Sequence, residues 1–160
     1  MTSFSREIKC KIVLLLTLLV GVFSYAQEVV VGKINPFQGD ATLVQNKNEQ
    51  GQASIFRLKY QNKQNSNQAD YKTIEFSATP AEYELLFHQI KEVFRTKQEK
   101  TLLLDKSTKV ALRLITDTDL EFTLYKDEVK QGVFSTSATG LHLLFGKVWD
   151  KQAWRVFLNK

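Results

Sequence analysis

Apolar and polar residues follow distinct periods along this chain, and the periods divide it into elements. Ser54 to Tyr60 alternates cleanly, with Phe56, Leu58 and Tyr60 on one side and Ile55, Arg57 and Lys59 on the other. This period of two is that of a half-buried strand. Tyr71 to Ser77 resumes it through Ile74 and Phe76. The intervening Gln61–Asp70 has no large apolar residue and predicts an exposed hairpin loop. Upstream, the β-branched run Glu28–Lys33 predicts an N-terminal strand. Ile34 to Asp40 is a loop punctuated by Pro36 and Gly39, Ala41 to Val44 a short strand, and 45–52 a polar surface connection.

The period changes at Thr79. Thr79-Pro80-Ala81-Glu82 combines a hydroxyl cap, a proline suited to the first helical position and the glutamate of a capping box. Tyr83, Leu86, Phe87, Ile90, Val93 and Phe94 then recur at helical spacing, which predicts a helix over 79–98. Strand patterns return at 102–104, at 109–115 through Val110, Leu112 and Leu114, at 120–125 through Leu120, Phe122 and Leu124, and at 130–135. The short links between them predict an antiparallel meander. A second helix is expected over 138–149, capped from Ser137 or Thr139 and burying Leu141, Leu144, Phe145 and Val148. Trp154 to Leu158 alternates again and predicts a closing strand. The expected architecture is one α+β domain, a mainly antiparallel sheet with the helices 79–98 and 138–149 packed on one face.

One segment echoes another. Residues 76–87 and 134–145 share five of twelve positions at an offset of 58, each running from a strand end through a hydroxyl cap into a Leu-Leu-Phe helix. Two junctions that chose the same chemistry independently would produce this, and so would a duplicated unit. Duplication requires the same strand pairing in residues 54–96 and 120–150.

Composition changes the picture mainly through the first 26 residues. Arg6, Lys9 and Lys11 precede the apolar run Ile12–Phe23, and Ser24-Tyr25-Ala26 places small residues before Gln27. That order is the pattern of a cleaved secretory signal peptide. The apolar run has 12 residues, against the ~20 of a spanning helix. The expectation is an exported protein, periplasmic or extracellular, with a single domain over 27–160 and no transmembrane anchor in the mature chain. Cleavage would remove the chain's one cysteine, Cys10, leaving a domain held by its core without disulfides. Of the 22 basic and 17 acidic residues, it would take three and one, so the net charge falls from +5 to +3. The remaining charges are interspersed, without the clustered basic stripe of nucleic-acid binding.

Candidate chemistry is sparse. A cysteine-free mature domain has no thiol nucleophile and no thiolate zinc site. The chain has no G-x-S-x-G elbow and no phosphate-cradling glycine loop. Glu84, His88 and Glu92 fall one turn apart on the polar face of helix 79–98. A carboxylate and an imidazole at that spacing can share a metal, which makes them candidate ligands. A solvated face with i,i+4 pairs has the same spacing and is the preferred reading. His142 is expected to be peripheral on the second helix. Asp117 and Asp119 suit a tight turn better than a calcium loop or a glycosidase pair. Trp149 and Trp154 bracket a polar link; they are either a ligand groove or the anchor between the second helix and the last strand, and the anchor is preferred. No catalytic residue and no cofactor is assigned. The leading expectation is a non-catalytic exported binding or interaction protein of the cell envelope, its partner an envelope protein or a small ligand. A small exported hydrolase or metal-dependent enzyme, and an apolar-ligand carrier, are the alternatives.

Overall fold

The structure, a computed structural model, describes residues 28–35, 40–47, 53–63 and 70–160. The leader-like segment 1–26, the Pro36–Gly39 turn, residues 48–52 and the tip of the 61–70 loop lie outside the described residues. The described chain forms two four-stranded antiparallel meanders, each followed by a helix. The first comprises β1 (Glu28–Ile34), β2 (Ala41–Asn46), β3 (Ser54–Gln61) and β4 (Tyr71–Ala78), then α1 (Pro80–Thr96). The second comprises β5 (Lys100–Leu103), β6 (Thr108–Leu114), β7 (Asp119–Lys126) and β8 (Val129–Ser137), then α2 (Ala138–Leu144) and α3 (Lys151–Leu158). Within each sheet the strands lie in chain order. The fold is α+β, with two sheets where one was expected.

The alternation that defines the strands is the alternation of burial. Phe56, Leu58 and Tyr60 of β3, Ile74 and Phe76 of β4, Val110 and Leu112 of β6, and Leu120, Phe122 and Leu124 of β7 all enter one core. α1 buries all six residues of its apolar stripe. Its capping box forms in full: the Glu82 N–H donates to Thr79 Oγ1 at 3.3 Å, and the Thr79 N–H donates to Glu82 Oε2 at 2.8 Å. The helix ends at Lys97, which turns into the left-handed region at φ 57.

The two halves pair their strands alike. Phe56 stands opposite Phe76 between β3 and β4, and Phe122 stands opposite Phe134 between β7 and β8. The second phenylalanine of each pair opens the repeated segment, so the pairing required of a duplicated unit is present. The helices interlock the halves: α1 packs on β6 as well as β4, and α2 packs on β1 and β2 as well as β8.

The C-terminal region departs from expectation. α2 stops at Leu144 because Gly146 adopts φ 64. The Lys147 N–H then reaches back to the His142 carbonyl at 2.7 Å, and the Gly146 N–H to the Leu143 carbonyl at 3.1 Å, closing a Schellman motif. Leu141, Leu144 and Phe145 are buried as expected, but Val148 lies beyond the helix and is 90% exposed. The expected closing strand 154–158 is a helix. The Asp150 Oδ1 accepts from the Gln152 and Ala153 N–H groups at 2.8 and 3.1 Å, a side-chain cap that starts α3. Trp154 and Phe157, three residues apart, then fall on one helical face toward α1, where Lys91 Nζ lies 5.8 and 4.5 Å from their ring centroids.

Candidate functional site

The residues singled out by spacing are engaged separately. Glu84 pairs with Lys147 across the molecule, Glu92 pairs with Arg95 on its own helix, and His88 is exposed between them. Among the described residues no group of three His, Cys, Asp or Glu side chains could hold a metal. Asp117 bonds Lys97 at 2.6 Å, while Asp119 accepts from Thr116 Oγ1 at 2.8 Å inside the β6–β7 turn. Trp149 and Trp154 lie 5.5 Å apart and pack against the core. Both rings meet His142 edge-on, at 4.9 and 5.4 Å.

His142 is therefore buried rather than peripheral, at 7% exposure. Trp149, just before α3, and Trp154 on α3 set their indoles over it. Its Nδ1 lies 2.8 Å from the Ala138 carbonyl, a contact made by donating a proton. Burial holds its pKa below the ordinary histidine value, against the opposing pull of that carbonyl, and the charge of Lys91 acts in the same direction as burial.

The space between the two sheets, walled by Leu58, Phe76, Ile90, Phe122 and Phe134, has a volume of about 30 Å³. One water needs roughly 10–15 Å³ in such a cavity, so there is no room for an apolar cargo molecule. Tyr60 and Thr136 carry buried hydroxyls without a hydrogen-bond partner. Each faces a glycine: a Cβ on Gly132 would lie 2.9 Å from the Tyr60 oxygen, and one on Gly140 2.1 Å from Thr136 Oγ1. Burial, then the charge of Asp70, pushes Tyr60 up to about 12.

The open site lies elsewhere, where the flank of α1 meets the end of β5. A cleft of about 390 Å³ runs between Leu85 and Gln89 of α1 and Leu103, Leu104, Asp105 and Lys106 at the end of β5. Its size falls in the range of small-ligand clefts, roughly 300–1,000 Å³. Leu85 is 56% exposed and Leu103 77% exposed. Both sit outside the pattern that buries their neighbours: Leu85 lies off the α1 stripe, and Leu103 points away from buried Leu102. These off-pattern leucines were the available signal in the sequence, and spacing alone did not single them out.

Hydrogen bonds tie down the Asp105 side of the cleft. Asp105 Oδ1 accepts from the Ser107 and Thr108 N–H groups at 2.9 and 2.8 Å, and its Oδ2 accepts from the Ser77 N–H at 3.2 Å. Burial raises this carboxyl, but the Ser107, Ser77 and Thr108 donors together outweigh it and hold its pKa below the usual value. The Glu82 carboxylate, also on the cleft, is held low by the Thr79 N–H and hydroxyl.

The strand edges differ in the same neighbourhood. On β4, the Ser77 N–H is bonded by Asp105 and the Glu75 carbonyl by Thr108 Oγ1. On β8, Val133 donates to Asn62 Oδ1 and accepts from the Lys63 N–H. β1 is broken by a register shift between Val30 and Gly32 and lies under the end of α2. Among the described residues β5, at the end of its sheet, has no such cover. The Leu104 N–H donates to the Thr108 carbonyl at 2.8 Å. The antiparallel alternation then turns the N–H and C=O groups of Thr101 and Leu103 away from β6, and no described residue bonds them.

Compared with known proteins, the chain matches no family model, no curated protein and no solved structure. No described helix is long and apolar enough to cross a membrane.

Proposed function

We propose that this chain is an exported, non-catalytic binding or interaction module of the cell envelope. The observation that carries the binding reading is the cleft between α1 and β5, an apolar-walled opening beside an uncovered strand edge. Two further observations favour it over the alternatives. The candidate carboxylates Glu84, Glu92, Asp117 and Asp119 are engaged in separate ion pairs and a turn, and His88 stands exposed apart from them. The space between the two sheets, about 30 Å³, is too small for a carried ligand. Export rests on the basic, apolar and small-residue order of residues 6–26.

Photo-crosslinking in the native host tests this. The full chain is expressed with a photoreactive residue at Leu85, and in parallel at Ile115 in the β6–β7 turn. Discrete adducts from Leu85, absent from Ile115 and recovered in the envelope fraction, are expected. Adducts from neither position, or a protein retained in the cytoplasm, would overturn the reading.

A further inference from the structure

We infer that β5 and the adjoining flank of α1 form a receptor for an extended peptide segment that carries apolar residues at alternate positions and a carboxylate at one end. The inference rests on the binding reading above and names the partner class for the same cleft.

Three observations converge. The Thr101 and Leu103 backbone groups of β5 face outward unbonded, and an extended peptide is the ligand whose own backbone would satisfy them as an added strand. Successive side chains of such a strand point to opposite faces, so every second one enters the cleft, where Leu85 and Leu103 offer exposed apolar walls. The third observation is charge. The two acids on the cleft are committed: Glu82 to the α1 cap and Asp105 to three backbone N–H groups. Lys106 on the cleft and Lys100 at the other end of β5 make no ion pair among the described residues. A carboxylate on the peptide would meet Lys106 with no competing partner among the described residues.

The same lysines argue against the nearest alternative, pairing of β5 with β5 of a second copy. Unpaired lysines at both ends of a short edge strand oppose that association by like charge, a known protection of exposed edges. They leave an acidic partner favoured.

Selection from a random heptapeptide library displayed on phage tests the proposal, using protein purified from cells expressing the full chain. Enriched sequences are expected to alternate apolar residues and to end in Asp, Glu or a free C-terminus. Free-acid and amidated versions of a selected peptide tell a terminal carboxylate from a side-chain one. Its affinity is expected to fall at least about tenfold in Lys106→Glu and in Leu85→Glu, both at exposed positions where the fold is retained by circular dichroism. Equal binding to the two variants would overturn the inference while leaving a binding function standing at another surface. A library without a consensus above a control protein would overturn it, as would a dimer in sedimentation that Thr101→Pro dissolves. Failure of the photo-crosslinks as well would remove the binding function itself.

Discussion

Gly32→Ala is the most incisive perturbation of the interlocked core. Gly32 lies in β1, in the first half of the chain, against the end of α2 from the second. A Cβ built there would lie 2.0 Å from the Leu143 carbonyl oxygen and 2.4 Å from that of Leu144. Both are backbone atoms, so no side chain can swing aside. Ordinary contact begins near 3.4 Å, so α2 or β1 would have to retreat by the difference, 1.4 Å. α2 is seated by Leu141 at 0% and Leu144 at 2% exposure. A gap of 0.5–1 Å already forfeits about a quarter to a half of each dispersion contact. Overpacking of well-packed sites costs roughly 1–3 kcal/mol, and a contact with fixed backbone belongs at the upper end, about 3 kcal/mol. Urea unfolding followed by far-ultraviolet circular dichroism measures it. With a slope of roughly 1–3 kcal/mol per molar, the midpoint is expected to fall by on the order of 1–3 M at unchanged slope. A loss below about 0.5 kcal/mol, the size of an ordinary surface change, would refute the close approach of β1 and α2.

Other expectations follow from the same contacts. Asp105→Ala leaves three backbone N–H groups without their carboxylate and is expected to destabilise by about 2 kcal/mol, measured by thermal unfolding; Asp105→Asn should recover part of it. Thr79→Ala removes the α1 cap and should lower stability by about 1 kcal/mol in the same assay. His142 is held neutral by burial, so as pH falls the unfolded chain takes up a proton at about 6.5, before the folded chain does. Its contribution is complete above that value and is lost as pH falls from there through the lower folded value. His142→Phe should flatten the fall in unfolding midpoint between about pH 7 and pH 5, and an unchanged slope would contradict the burial of the ring.

Much of this architecture was legible in local pattern. The stripe and cap of α1 were readable because a helix of five turns repeats its signal, and all six stripe residues are buried. The strands were readable wherever one face is buried and the other solvated, as in β3 and β7. Trp154 to Leu158 misled because so short a segment satisfies both periods. Trp154, Val156 and Leu158 alternate, while Trp154 and Phe157 also share a helical face, and the deciding feature was the cap at Asp150, four residues before the pattern begins. The burial of His142 depends on that same refolding of the C-terminus and was invisible for the same reason. The cleft was less legible still. It arises where α1 passes the edge of a sheet formed by later strands, and no local period encodes that meeting. Leu85 and Leu103 mark it only as apolar residues placed where their elements face solvent.

Amide hydrogen exchange of β5, with and without a selected peptide, tests most directly that this strand edge is the docking site. The Thr101 and Leu103 amides are expected to exchange rapidly in the free protein and to slow at least about tenfold when the peptide binds. The Leu102 amide, directed toward β6, should change little. Protection confined to other surfaces, with Thr101 and Leu103 unchanged under saturating peptide, would contradict it.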